Sequence, residues 1–594
     1  VLNAQTKQEN YILTRELTEA TKDVSPENIK TKARVEKITY FDGLGREKMR
    51  IVLPIEQKNA FLFPADSLDS AQTIGLATKV TYDGIGRIDQ EYLPGVVHGI
   101  NLPKTIVYDD YPEQRVYSQK RYENSPLNRI VRKGAPGIEW DVNGTHTLQY
   151  DYEINHNDDV LNFGVDYSLQ NQNSSSDEAE RIPLTLSAFY SDGKLFKTVA
   201  KDENNHTTIE FRNKEGQIIL MRVQGKNKQL DTYYVYDIYA NLVAILPPKL
   251  IELAKRSKNI AVYHPLIEKF GFQFRYDEKN RLIEKKLPGK GWKYMLYDKQ
   301  NRLVAEQDEN RHRLNEWIYT KYDRYGRIAL TGIIKEDTGK SRHEIQQEIN
   351  KLGNNNVSRD SYGFIHEGLK VYYNQAGFGA DNTILTINYY DDYPMMKDGV
   401  DWKSKVFNQT LAIDDQLKGL PTLTIVRSLE TKENNQSNFE FNYVFYENKE
   451  LRAVKSHQIN FLGGSTIVER DLDFRGKILE TVTVHQRTQH DTPIKITEAF
   501  SYDDFERLIL HTHQINDGKV ELLTHNTYND IGQLVGKSIG NTIESPNQEI
   551  DYAYNIRGWL VKINDIANLK NDLFAFKLNY NIKTETLMSD FTPE

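Results

Sequence analysis

Three stretches decide the reading of this chain: Tyr276-Asp277-Glu278-Lys279-Asn280-Arg281-Leu282, then Tyr297-Asp298-Lys299-Gln300-Asn301-Arg302-Leu303, then Tyr322-Asp323-Arg324-Tyr325-Gly326-Arg327-Ile328. The tyrosines are 21 and then 25 residues apart, roughly the length of two strands and two turns. Each unit therefore reads as strand, tight turn, strand. Asp at the first turn position can accept from the backbone two residues on, and the fourth residue after the Tyr must tolerate positive φ. Asn280, Asn301 and Gly326 meet that requirement. The incoming strand alternates Phe272, Phe274 and Tyr276 with Gln273 and Arg275, one face apolar and the other wet.

Further copies lie on both sides. Phe41-Asp42-Gly43-Leu44-Gly45-Arg46, preceded by Tyr40, and Tyr82-Asp83-Gly84-Ile85-Gly86-Arg87 precede the central three. Degenerate copies stand at Tyr236-Asp237, Tyr502-Asp503, Tyr528-Asn529 and Tyr554-Asn555, the last three spaced by 26 residues, with Gly532 at the positive-φ position of one of them. Ala240 and Glu506 occupy that position in two others, and Tyr190-Ser191-Asp192-Gly193 is one residue short, so these turns are expected to differ in type and to disturb the winding. The outgoing Arg of each copy is expected to stack its planar guanidinium on a Tyr of the neighbouring unit. Fixed self-similarity at this period is the mark of a repeat array.

Composition agrees. The chain of 594 residues holds 36 Tyr and 23 Phe against 5 Trp and 6 Met, a strand-favouring mix. A length well beyond one ordinary hydrophobic core suits an array. Net charge is −8 from 76 basic and 84 acidic residues, so no global positive field holds a phosphate backbone and nucleic acid is excluded as a partner. No Cys is present, which removes disulfides, thiolate metal sites and Cys nucleophiles. No apolar run is long enough for a membrane-spanning helix, and Val1 to Asn10 is polar. Any export signal is expected to have been removed or to lie outside the sequence.

Two helices are expected within the strands, near 247–268 and 341–353. The first opens at Pro247-Pro248 and runs through Leu250, Ile251, Leu253 and Ala254. The second starts at the capping box Ser341-Arg342-His343-Glu344, sets Ile345, Ile349 and Leu352 on one face and ends at Gly353. Both are expected to plug or brace the wall. Gln170 to Glu180 reads as a flexible loop. The organisation expected is a lead-in segment over 1–34 and a repeat sheet over 35–594.

Candidate chemistry is sparse. His343-Glu344 has Gln347 where a zinc-protease helix needs its second His. His511 and His513 share a strand face without a third ligand in view. Gly289-Lys290-Gly291-Trp292-Lys293 lacks phosphate-loop spacing and reads as a turn. Asp391-Asp392 and Asp503-Asp504 sit where turn chemistry alone puts carboxylates. With no serine-hydrolase elbow, no catalytic residue, metal or cofactor is expected.

The Tyr-Asp-x-x-Gly-Arg-Leu motif resembles the YD repeats of Rhs proteins, of teneurins and of cocoon-forming toxin-complex subunits, from about Val35 to Tyr580. The stretches Ile38 to Arg46 and Tyr554-Asn555-Ile556-Arg557-Gly558-Trp559-Leu560 look like Bacteroidota-type members. The resemblance implies an all-β fold: an antiparallel ribbon wound spirally into a hollow shell or part of one. It implies a polymorphic-toxin shell used in bacterial competition, with a toxin or cargo domain as partner and an autoproteolytic core beyond this sequence. On that basis the chain is expected to be one portion of a longer polypeptide, completed by further shell segments or another chain. Export to the cell surface or medium, through a type IX pathway or an injection-like machine, is implied likewise. The alternative is a surface adhesion or carbohydrate-binding protein whose outer face does the work, and a third reading is a hydrolase on a shell-like scaffold.

Overall fold

A computed structural model describes residues 10–17, 34–53, 74–98, 105–166, 183–226, 228–335, 340–352, 355–379, 383–394, 400, 405–428 and 439–580. It is mainly β: 33 strands form one continuous sheet, and every pairing along it is antiparallel, from Asn10–Leu17 against Arg34–Phe41 to Leu560–Ile563 against Phe576–Lys577. The sheet is not closed into a barrel. It begins at Asn10, inside the stretch expected to be lead-in. Three separate two-stranded hairpins, Leu161–Val165 with Leu184–Phe189, Arg359–His366 with Leu369–Tyr373, and Lys405–Val406 with Gln409–Thr410, are inserted between its strands. The loop expected at 170–180, and Gly353, lie outside the described residues.

Four helices stand among the described residues. The first expected helix is two: α1 (Pro248–Ala254) and α2 (Ile260–Phe270), separated where Lys255 and Arg256 take positive φ. A short α3 (Glu309–Arg313), capped by Asp308, was not foreseen. Helix α4 (Arg342–Lys351) has the expected capping box, with the Ser341 side chain accepting from the Glu344 N–H. Ile345 and Ile349 are buried, but Leu352 turns outward, 51% exposed.

These insertions create the cores. Helices α1 and α2 and the first inserted hairpin cover strands from Thr207 to Leu246 in one cluster around Phe163, Phe211, Tyr233 and Tyr263. Helix α4 covers Leu296, Val304, Trp317 and Tyr319. A third cluster joins the second and third hairpins to strands around Tyr389, Tyr443 and Phe445. Buried charges fix the docking: Arg342 Nε donates to Glu284 at 3.1 Å, and Arg222 bonds both Asp231 (2.7 Å) and Asp159 (2.8 Å). Such pairs specify position more than they stabilise. From Gly463 to Ile563 few strand side chains are buried and both faces are half-exposed, so the wall there is a single layer.

Two turns expected to be irregular are regular. In the Ala240 turn the Asp237 N–H donates to the Asn241 carbonyl (3.0 Å) and the Ala240 N–H to the Asp237 carbonyl (3.1 Å), and the Glu506 turn has the same two bonds. Both residues accept φ of 66°. The turn's hydrogen bonds and two flanking ladders outweigh a left-handed cost of about 1–2 kcal/mol. The Glu506 carboxylate also reaches Lys477 of the preceding turn at 2.8 Å. At Tyr190 to Gly193, by contrast, the Asp192 N–H donates to the Asn157 side chain instead of closing the repeat turn. Ala240→Gly should stabilise the hairpin by about 1 kcal/mol, seen as slower hydrogen exchange over residues 233–246.

Candidate functional site: the tyrosine seam

Each repeat turn is a three-residue loop built on a type I turn and followed by a residue at positive φ. For Asp277 the N–H donates to the Arg281 carbonyl (3.0 Å) and the Asn280 N–H to the Asp277 carbonyl (2.9 Å). Gly45, Gly86, Asn301 and Gly326 repeat it with φ of 76°, 91°, 63° and 81°. The carboxylate completes the turn. Oδ1 of Asp277 accepts from the N–H groups of Lys279 and Arg281, and Oδ2 from Arg281 Nε at 2.7 Å. Asp42 with Arg46, Asp83 with Arg87, Asp298 with Arg302, and Asp323 with Arg327 do the same.

The repeat's Tyr does not serve its own turn. Its hydroxyl donates to the backbone carbonyl just past the preceding turn: Tyr82 to Glu47 (2.7 Å), Tyr276 to Leu242 (3.1 Å), Tyr297 to Leu282 (2.7 Å) and Tyr322 to Leu303 (2.7 Å). Among the described residues twelve tyrosines make this bond, through Tyr502, Tyr528, Tyr554 and Tyr580 at the far end. At seven of these, Tyr82, Tyr122, Tyr152, Tyr297, Tyr322, Tyr390 and Tyr528, the preceding turn's Arg covers the ring. Its guanidinium carbon lies 4.3 Å from the Tyr82 ring centre for Arg46, 4.7 Å from Tyr297 for Arg281 and 4.5 Å from Tyr322 for Arg302. Arg281 Nη1 then reaches the next turn, at 3.0 Å from the Asn301 side chain. One Arg thus braces its own Asp, the next Tyr and the next turn.

Tyr40 is not part of this seam. It is fully buried against Ile38, Ile51 and Tyr11 on the other face, because neighbouring strand residues point to opposite sides. Phe41 holds the seam position. Sequence reading also missed several copies: Tyr122 with Glu123 and Arg129, whose turn is two residues longer, Tyr390, and Tyr446 with Glu447 and Arg452. Tyr390 closes on Ile328 and its Asp391 takes both Nη of Arg327 at 2.8 and 2.7 Å, 64 residues back in the chain. A Tyr-acid pair with an Arg a few residues on, allowing insertion, was the available signal at Tyr122 and Tyr446, whereas no Arg follows Tyr390 nearby.

The remaining candidates settle into structural places. Gly289 to Gly291 forms a turn closed by the Lys290 N–H on the Leu287 carbonyl. His511 meets Glu498 at 3.0 Å and His513 meets Glu521 at 3.2 Å, and the described residues contain no group of three or more metal-ligating side chains. No described helix is long and apolar enough to cross a membrane.

The spiral shows in contacts between segments far apart in sequence. Arg475 Nη2 meets Glu16 at 3.0 Å across 459 residues, and Arg557 Nη2 meets Glu203 at 3.1 Å across 354. Arg557 also lies 4.3 Å from the Trp140 ring, and Ile556 and Ile531 pack with Tyr111 and Val116. The sheet therefore winds round and stacks its later strands on its earlier ones.

The fold and seam define a class: a tandem-repeat β protein whose hairpins are clipped together by Tyr, Asp and Arg into a wound, unclosed wall. Residues 13–154 match a family described as a domain of unknown function, DUF6443. Salivary gland surface protein 1 of Aedes aegypti is 19% identical over 425 residues, covering 70% of this chain and 11% of that protein. Similar solved structures include TcdB2-TccC3 without its hypervariable C-terminal region, at 13% identity and TM-score 0.36, and the Tc holotoxin pore of Photorhabdus luminescens, at 12% identity and TM-score 0.36. Each alignment covers 93% of this chain and 24% of the other. The chain thus spans about a quarter of those structures and about a tenth of the mosquito protein.

Two predictions follow from the seam's chemistry. Tyr322→Phe removes one hydroxyl bond and Arg302→Lys removes the flat stacking group, costing about 1 kcal/mol and about 1–2 kcal/mol. Faster hydrogen exchange confined to residues 303–322 and their neighbours should report both, with the double variant less than additive. In pH, backbone N–H groups of Arg46 and Arg87 together with their guanidiniums hold Asp42 and Asp83 below the ordinary 3.8, while burial raises Tyr82, Tyr297 and Tyr322 above 10.0. A depressed carboxyl contributes stability above its unfolded value that is lost as pH falls through the folded one. A raised phenol contributes below 10.0 and loses it as pH rises through the folded value. Circular dichroism should show the β signal steady between these limits and falling first below about pH 4 on the acid side.

Proposed function

We propose that this chain is a section of an Rhs-type shell wall whose function is to enclose a toxin or other cargo until delivery. The observation that carries the reading is the winding itself: the sheet turns until Arg557 rests on Trp140 and Glu203, and its last strands leave both faces half-exposed instead of packing them together. The seam supports it, since hairpins clipped at every repeat give a stiff wall from half-exposed strands with little core of their own. Enclosure acts by excluding other molecules and keeping apolar cargo segments from solvent. In this reading the wall is not an enzyme; toxin activity and any autoproteolytic core belong to other parts of the full product.

The partners proposed are a cargo domain of the same gene product, further shell segments, and a secretion machine. The location proposed is the bacterial surface or medium. A Bacteroidota-type assignment and type IX export belong to the same proposal. Cryo-electron microscopy of the full natural product tests it. The expected map has these residues as a curved wall around internal density. A wall with nothing inside, binding glycans through exposed aromatics such as Trp559 and Tyr580, would replace enclosure with adhesion.

A further inference from the structure

Helix α4 (Arg342–Lys351) is held on the sheet by a polar edge as well as by Ile345 and Ile349. Arg342, Gln346 and Asn350 stand at successive turns along that edge. Gln346 clamps the Tyr297 backbone, its amide donating to the carbonyl at 2.7 Å and its oxygen accepting from the N–H at 2.9 Å. Asn350 accepts from the same Gln346 amide at 3.1 Å. Between this edge and the turns of Asp277 and Asp298 lies a cavity of about 640 Å³, the size of a small-molecule site. Val243, Phe274 and Ile283 give it an apolar wall, and Arg342, Lys279 and Lys299 bring positive charge to it.

Arg342 is the informative group. Its side chain is only 8% exposed, and its Nε donates to the fully buried Glu284 at 3.1 Å. Arg275 bonds the same carboxylate. The two Nη groups of Arg342 donate to no described residue, and neither is sealed off from the cavity. Buried polar groups are hydrogen-bonded as a rule, so a fork of unmade donors on a buried side chain marks a place for an acceptor. The acids beside the cavity do not fill it. Asp277 is taken by the N–H groups of Lys279 and Arg281 and by Arg281 Nε, and Asp298 by Gln300 and Arg302 in the same way. Five Arg and Lys side chains line the cavity against three Asp and Glu, in a chain whose net charge is −8. Arg342 and His343 are also the first residues of α4, so the positive end of the helix lies beside it.

We propose that this cavity binds a small organic carboxylate. Its two oxygens take the Nη fork of Arg342, the geometry in which a guanidinium and a carboxylate match, and its apolar body lies against Val243, Phe274 and Ile283. A bare ion would leave most of that volume and the apolar wall uncovered. The site belongs to the wall itself, so it stands or falls separately from what the wall encloses.

Calorimetric titration of the wild-type chain with benzoate, with acetate and with benzamide tests this, benzamide being a neutral molecule of nearly the same shape as benzoate. Benzoate is expected to bind with a Kd of about 1 mM or tighter, and both acetate and benzamide about tenfold or more weakly than that. Hydrogen exchange with benzoate present should slow over α4 and the two turns at 277–281 and 298–302. Arg342→Lys keeps a cation for Glu284 but loses the fork, and should weaken benzoate by about tenfold or more while circular dichroism shows the sheet intact. Should that variant fail to fold, the three-ligand comparison and the exchange map on the wild type decide the matter. Absence of benzoate binding, equal binding of benzamide or acetate, protection elsewhere in the chain, or a folded Arg342→Lys variant that binds benzoate as tightly as wild type overturns the proposal.

Discussion

The structure depends on one coupling, made at twelve repeats: the Tyr hydroxyl bonded to a carbonyl of the repeat before, at seven of them under a guanidinium that the earlier repeat supplies. A β-hairpin alone is marginal in water. Here the turn fixes the Arg through Asp, the Arg fixes the next Tyr, and the Tyr fixes the previous strand, so no hairpin is independent of its neighbours. Each link is modest, about 1 kcal/mol for the hydroxyl bond and a comparable amount for the stacked cation. Repetition along the chain makes the sum large, as expected for a quasi-one-dimensional array.

That coupling explains how the wall survives with little core from Gly463 to Ile563. Between Gly463 and Ile563 the faces are only half-buried, yet Tyr502, Tyr528 and Tyr554 close on Ile478, Leu508 and Leu534 just as Tyr297 closes on Leu282. Helices and inserted hairpins thicken the earlier part, and their docking is set by buried charges such as Arg342 on Glu284 and Arg222 on Asp231. The seam supplies continuity; the insertions supply local bulk.

Because the seam runs along one rim only, the two rims are chemically different. The turn rim carries tips that can rest on another layer, and the opposite rim carries acidic and aromatic groups such as Glu16, Glu203 and Trp140 that receive them. A sheet with unlike rims stacks in one direction, which is what a spiral requires.

The sequence by itself determined the repeat, the turn and the direction of the fold. Asp277, Asn280 and Arg281 act within five residues of one another, and local chemistry of that kind survives in any tertiary setting. The cap at Ser341 was legible for the same reason. What only the tertiary structure decided was everything that joins distant residues. Ala240 and Glu506 keep the regular turn because ladders on both sides impose it. Tyr40 faces the core because strand register, not its nearness to Asp42, sets the face of a side chain. Tyr390 belongs to the seam although 64 residues separate Asp391 from the Arg327 it binds. The place where Arg557 lands depends on the accumulated twist and coil of many strands, a sum that no short stretch of sequence encodes.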